Sequence, residues 1–315
     1  MWPYNSDETL AIVRRIAKEV FCNGVSEPSF LARGSNNAAY VITENGRKYV
    51  IRVTGEWRER TTRQERWCYS QAKALGIPGP EVIAIGKVEK LPYIVLTFVE
   101  GEPGIDSNID RDHLWRALGE YGRLINSVNI GSGSVTSEGI EVYPDPLVQW
   151  REWVDAAIDV VRNERLCELA AFSMHQRQTI RSILAEMRRR SFRLGLSHGD
   201  LDPRNAIIDE SGKTHLIDWC CSLVSLVPHV DLYNILREMR PESGEIAAYL
   251  DGYGMTREKF EEVLPEVRAL GLVQQLKQVG WAAVDRPDLV PPYIENVGKT
   301  VVEHLQTMSD RLLLP

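Results

Sequence analysis

The chain has 315 residues, enough for two domains or one domain of two lobes, and its 43% hydrophobic and 26% charged residues are the balance of an ordinary globular protein. Its formal charge of −7 argues against a nucleic-acid partner, which requires a basic face, and suits a site that attracts cations. The opening MWPYNSDETL lacks a basic region followed by an apolar stretch, and runs such as YIVLTFV are far shorter than a membrane span, so neither a secretory signal nor a membrane segment is expected.

Residues 7–21 place Leu10, Val13, Ala17, Val20 and Phe21 on one stripe, which predicts a helix capped by Ser6 or Asp7. Two β-rich runs then flank Glu44-Asn45-Gly46, a hairpin signal. A charged helix is expected at 58–75, stopped by GIPGP, and two short strands at 81–88 and 92–99 complete a sheet of five. Polar EGEPGIDSN at 100–108 breaks this pattern. Helices are predicted at 110–127, 146–162 and 173–190, with a glycine- and serine-rich loop at 130–139, and again at 229–239, 243–252, 256–283 with breaks and 291–312. The expected architecture is α+β: residues 1–100 form a small β-rich lobe and residues 101–315 a larger helical one. Five cysteines without CxxC spacing fit a reducing cytoplasm, with the adjacent Cys220 and Cys221 reduced and on opposite faces of a strand or turn.

The chemistry concentrates in LSHGDLDPRNAIIDESGKTHLIDW. NAII and THLID read as two short strands joined by a turn at Ser211-Gly212, which folds Asp218 back beside Asn205. An amide oxygen and a carboxylate at one end of a ribbon are hard donors of the kind Mg2+ takes when substrate phosphates supply the rest. Asp200, on the loop before the ribbon, is left to face a substrate. Each residue alone could be a loop polar, but H-x-D-x4-N arises by chance on the order of once per hundred chains of this length.

HGDLDPRN with LIDW resembles the catalytic segment of the aminoglycoside phosphotransferase and choline kinase group, relatives of the protein kinases. The resemblance implies a bilobal kinase-like fold, Asp200 as catalytic base, Asn205 and Asp218 as Mg2+ ligands, and His198 as support for the loop. It also implies ATP or GTP as co-substrate. LARGSNNAAYVI would cover the phosphates with backbone N–H groups and the Ser35 hydroxyl, although only Gly34 stands where G-x-G-x-x-G is usual. Arg52 in KYVIRV occupies the place of the usual phosphate-binding Lys, and Glu65 that of the helix Glu that pairs with it. Phe98, Val99 and Glu100 fall at the hinge that binds the purine edge, with Leu96 or Thr97 behind. Asp231, in the P-x-x-D-L element, braces the catalytic loop. Gly199 stands where many protein kinases carry Arg, so regulation by a phosphorylated activation loop is not expected.

The acceptor implied is a small, hydroxyl-bearing, cationic molecule, foremost an aminoglycoside-type antibiotic. NIGSGSVTSEG before PLVQWREWVD resembles hygromycin-type members, and Glu152, Asp155 and Asp159 could meet a polycation. The alternatives are a housekeeping kinase for an amino alcohol or sugar derivative, and a nucleotide-binding pseudokinase. No covalent enzyme intermediate and no zinc cluster are indicated.

Overall fold

A computed structural model describes residues 6–21, 24–33, 37–128, 130, 145–169, 172–237 and 239–299. In chain order the elements are α1 (Ser6–Phe21), β1 (Ser29–Arg33), β2 (Asn37–Glu44), β3 (Arg47–Thr54), α2 (Glu59–Ala74), β4 (Val82–Val88), β5 (Leu91–Thr97) and β6 (Glu102–Pro103). They continue with α3 (Arg111–Asn126), α4 (Pro146–Arg162), α5 (Glu164–Leu169), α6 (Met174–Arg189), β7 (Leu194–Ser197), β8 (Ala206–Ile208) and β9 (Thr214–Leu216). The last are β10 (Leu223–Leu226), α7 (His229–Leu236), α8 (Gly244–Tyr253) and α9 (Arg257–Asp285), followed by a helical run over 290–299. The chain thus has the expected α+β order, strands first and helices after.

Two compact units share these elements. Among the described residues, those up to 117 and over 202–222 form one, and those over 118–130, 145–201 and 223–299 the other.

In the first unit five antiparallel strands run in the order β1-β2-β3-β5-β4. The β2–β3 turn has Asn45 and Gly46 at φ 50° and 78°, the left-handed geometry an Asn-Gly hairpin requires. Alternation buries Tyr40 and Ile42 on β2 and Ile51 and Val53 on β3, and these pack in one apolar cluster with Ile12, Val13, Ile16 and Ala17 of α1. A separate ribbon of this unit pairs β6, β8 and β9.

The second unit is mostly helical. Its core joins Trp150, Val154 and Val161 of α4, Ile180, Ile183 and Leu184 of α6, and Leu270, Val273 and Leu276 of α9. Side chains cap the helix starts: Asp145 accepts the N–H groups of Leu147 and Val148, and Ser173 and Gln176 form a reciprocal capping box. The breaks expected in 256–283 do not occur. α9 is one helix of 29 residues through Pro265, because its buried stripe outweighs the roughly 3 kcal/mol that an interior proline costs. The short helix α5 carried too few residues to be read from periodicity. The loop expected at 130–139, apart from residue 130, and the end of the helix expected at 291–312 lie outside the described residues.

Candidate active site

In the first unit three side chains meet around one guanidinium. Arg52 lies mid-strand on β3, paired in register with Ala39 and Ile94, and is 7% exposed. It forms an ion pair with Glu65 of α2, itself 1% exposed. Its Nη1 donates to Asp218 Oδ1 at 2.7 Å. Burial opposes the charge on Arg52, and Asp218, Tyr69 and Cys220 together outweigh it, so its pKa is raised.

Helix α2 also shapes the chain around Asp218. The Asp218 N–H donates to the Tyr69 hydroxyl at 3.2 Å, Gln64 Nε2 donates to the Ser222 carbonyl at 2.8 Å, and Cys68 Sγ meets Ser222 Oγ at 3.2 Å. Tyr69 and Gln64 were not singled out in the sequence, although Tyr69 falls one turn after Glu65 on the same face. Burial pushes the Tyr69 phenol up, so it stays neutral beside the carboxylate. Asp218 adopts φ 59°, a left-handed conformation that a non-glycine residue holds only under constraint.

The β8–β9 pairing sets Asn205 against this residue. Ala206 faces Leu216, and the Ile217 N–H donates to the Asn205 carbonyl at 2.9 Å. Asp202 fixes the preceding turn by accepting the Arg204 N–H at 2.9 Å. An Asn side chain and a carboxylate therefore flank the first pair of one ribbon. These are hard oxygen donors and fit Mg2+, which needs few protein ligands when phosphates complete its shell. Among the described residues there is no cluster of three or more His, Cys, Asp or Glu that could hold a metal.

At the hinge positions, the Phe98 N–H already donates to the Lys48 carbonyl at 3.1 Å, which extends the β3–β5 ladder. The Phe98 N–H is therefore engaged within the sheet. Lys48 pairs with Glu100 at 2.9 Å and lies over the Phe98 ring, 5.2 Å from its centroid. Val99 follows between them, half-buried; behind, Leu96 is buried and Thr97 Oγ1 accepts the Glu81 N–H at 2.9 Å. Ser35 lies outside the described residues.

In the second unit, a polar clamp holds the residue before Asp200. Gly199 takes φ 79°, open to glycine at no steric cost. Its N–H donates to Asp231 Oδ1 at 3.1 Å, and its carbonyl accepts from Asn234 Nδ2 at 2.8 Å. Asp231 Oδ2 accepts from Asn126 Nδ2 at 3.0 Å, and Asn126 Oδ1 accepts from the Tyr253 hydroxyl at 2.9 Å. Asp231 and His198 are fully buried, while Asp200 is half-buried. Burial raises the Asp231 carboxyl pKa, against the opposing pull of Asn126, the Gly199 N–H and His198. Asn126 and Asn234 escaped the sequence reading; only Asn234, three residues after Asp231 on one helical face, left a signal.

Two expectations need correction. Cys220 and Cys221 do not lie on opposite faces: a tight helical turn over Trp219–Cys221 brings their sulfurs to 3.7 Å. Asp155 and Asp159 carry partners of their own, Arg188 at 2.8 Å and Arg162 at 3.5 Å, which lowers their worth as receptors for a polycation.

The first unit thus holds a cation–carboxylate pair on a sheet and helix, and the second an Asp-bearing loop braced by a helix. The chain belongs to the phosphotransferase enzyme family, whose sequence profile matches residues 28–270. Among solved structures, the fold is similar to the aminoglycoside phosphotransferase APH(4)-Ia in a ternary complex with ADP and hygromycin B, at 20% identity and TM-score 0.63 over 92% of this chain and 98% of that one. It is similar to APH(2")-IIia in complex with GDP and kanamycin, at 15% identity and TM-score 0.67 over 93% and 99%. The spectinomycin phosphotransferase APH(9)-Ia, in complex with ADP and spectinomycin, matches at 15% identity and TM-score 0.58 over 99% of each chain. A search of curated proteins found no match. No helix among the described residues is long and apolar enough to cross a membrane.

Proposed function

We propose that the protein is a Mg2+-dependent small-molecule kinase that moves the γ-phosphoryl group of ATP or GTP to a hydroxyl of its acceptor. The observation that carries this is the Arg52–Glu65–Asp218 arrangement, with Asn205 bonded through its carbonyl to Ile217, next to Asp218 on the same ribbon. Phosphoryl transfer has a loose transition state, so holding charge in place matters more than covalent chemistry. Arg52, fixed by Glu65, offsets phosphate charge. Asn205 and Asp218 would hold Mg2+, whose charge screens the phosphate oxygens. Asp200, on the clamped loop, orients the acceptor hydroxyl and takes its proton. His198 and Asp231 support that loop, and Ser35, Phe98, Val99 and Glu100 contact the nucleotide. In this division of labour residues 1–100 bind nucleotide, and residues 101–315 carry the catalytic loop and acceptor site.

Aminoglycoside-type antibiotics, with a role in resistance, are the first acceptor reading, supported by the ligands of the structural neighbours named above. A metabolite acceptor, an amino alcohol or sugar derivative, is the second, favoured by the pairing of Asp155 and Asp159 with Arg188 and Arg162, which leaves less acidic surface for a polycation. A pseudokinase is disfavoured by the presence of base and both metal ligands. Four described cysteines without disulfides support a cytoplasmic protein; neither nucleic acid nor membrane is a partner in this reading. The test is transfer of radiolabelled phosphate from ATP or GTP, with and without Mg2+, to a panel of small acceptors and to casein. Labelling of casein alone, or of nothing while ATP is also neither bound nor hydrolysed, would overturn the proposal.

A further inference from the structure

In the ribbon ordered β6-β8-β9, strand β9 is an edge. Its backbone N–H groups alternate between two sides as it runs toward Asp218. The Ile217 N–H turns to the β8 side and donates to the Asn205 carbonyl at 2.9 Å. The N–H groups on either side of it go elsewhere. Leu216 donates to the Pro78 carbonyl at 2.8 Å, and Asp218 donates to the Tyr69 hydroxyl at 3.2 Å. The outer edge is thus closed by helix α2 and the loop after it, not by another strand. That approach is tight: a Cβ added at Gly79 would lie 2.6 Å from the Leu216 carbonyl oxygen.

Tyr69 is buried, and its ring packs edge-on against Trp219, with centroids 6.3 Å apart at 69°. It stands one helical turn after Glu65. Helix α2 therefore holds Asp218 twice. The Tyr69 hydroxyl takes its backbone N–H, and Glu65 fixes the guanidinium that bonds its carboxylate. The backbone contact falls on a residue at φ 59°, a conformation that a side chain other than glycine keeps only when its surroundings impose it.

We infer that Tyr69 is a positioning residue for the metal: its hydroxyl fixes the backbone of Asp218, and the affinity of the site for Mg2+ depends on that bond. The inference rests on the metal role proposed above for Asn205 and Asp218, and adds a residue that touches neither metal nor phosphate. Mg2+ demands near-ideal octahedral geometry, so a carboxylate that turns freely is a poorer ligand than one held in place. Groups that orient a ligand from behind accordingly tune the affinity of the ion itself.

The test uses the full chain and calorimetry of a non-hydrolysable ATP analogue over a series of Mg2+ concentrations. Tyr69→Phe keeps the ring against Trp219 and removes the hydroxyl alone. The Mg2+ concentration for half-maximal analogue binding should rise about threefold to tenfold, the range for one hydrogen bond, and excess Mg2+ should restore binding. In steady state the loss should fall on KM for the nucleotide more than on kcat. Thr54→Val is the comparison: it removes another buried hydroxyl of the same unit, one that donates to the Pro92 carbonyl at 3.4 Å, and should leave the Mg2+ midpoint at the wild-type value. An unchanged midpoint in Tyr69→Phe, or an equal shift in Thr54→Val, overturns the inference. Hydrogen exchange of the wild type decides the matter even if Tyr69→Phe does not fold: the Asp218 amide should exchange as slowly as that of Leu216, and fast exchange overturns the inference. Failure of the metal reading looks different, since wild type would then bind the analogue equally well in EDTA, and the inference would fall with it.

Discussion

Arg52 stands between two carboxylates, donating from Nη1 to Asp218 Oδ1 at 2.7 Å and pairing on its other side with Glu65. A strand residue is thereby tied to a helix and to the left-handed turn that follows the β8–β9 ribbon. Lysine at this position would supply one point charge. The arginine fork can hold Glu65 and still direct a nitrogen toward Asp218.

Glu65→Gln should therefore be costly. Breaking a buried pair costs up to about 3–5 kcal/mol; both residues here are under 10% exposed, and Arg52 keeps only Asp218 as its partner. Arg52→Lys keeps the charge and should cost far less stability while raising KM for nucleotide. Urea melts and nucleotide kinetics of the two variants check this. Equal stability of Glu65→Gln and wild type would sink the structural role of the pair.

Asp200→Asn keeps the size and polarity of the side chain but cannot accept the hydroxyl proton. Turnover should fall by about 10²–10⁴-fold, the range for a positioned general base, with ATP affinity nearly unchanged. Steady-state kinetics beside calorimetry would show the split, and retention of most activity would remove Asp200 from the base role.

Asp218→Ala should weaken Mg2+-dependent ATP binding sharply, and EDTA should do the same to the wild type. The variant also deprives Arg52 of a partner, so Asp218→Asn is the needed comparison: it can still accept a hydrogen bond but brings no charge to the cation. If nucleotide affinity is the same with EDTA as with Mg2+, the metal role of Asn205 and Asp218 fails.

Much of this was legible in the sequence because it is local. The Asn45-Gly46 turn, the five strands and the pairing that sets Asn205 against Asp218 follow from alternation and turn chemistry over short spans. The Asp231 clamp on Gly199 could be placed only through the family resemblance, since it joins residues 32 apart in the chain. Asn126 was invisible for the same reason: its partner Tyr253 lies 127 residues away. The acidic residues that looked ready for a polycation are instead matched by arginines, Asp155 by Arg188 across from α6 and Asp159 by Arg162 on its own helix.

Gly199→Ala should lower both stability and turnover. Its φ of 79° costs an alanine about 1–2 kcal/mol, and relief of that strain would pull its N–H and carbonyl from Asp231 and Asn234. Asp231→Asn should be worse. Its amide has one oxygen for two donors, the Gly199 N–H and Asn126 Nδ2, and its own NH2 would face one of them. A buried donor left unmatched costs about 1–3 kcal/mol. Thermal melts should rank wild type above Gly199→Ala, and Gly199→Ala above or level with Asp231→Asn. If both variants matched wild type in melting and turnover, the clamp would have no part in holding Asp200.

The turn of the β8–β9 ribbon should respond to acid in a defined direction. Asp209 accepts hydrogen bonds from the Ser211 hydroxyl at 2.6 Å, His215 Nε2 at 2.8 Å and the Lys213 N–H at 3.0 Å. Those bonds, Ser211's first, hold its carboxyl well below the usual carboxylate range. A carboxyl whose folded pKa is depressed binds its proton less readily in the folded state than in the unfolded one. Its contribution is therefore fully present above the unfolded value, about 3.9, and drains away as pH falls below that toward the folded value. This turn fixes the register in which Asn205 faces Ile217, the residue before Asp218. Asp209→Asn removes the titration, so the gap in urea midpoint between it and wild type should stay level from pH 7 down to about 5 and narrow steadily below about 4. A gap that persists undiminished at pH 3 would show that the stabilising bonds do not depend on the charge of Asp209.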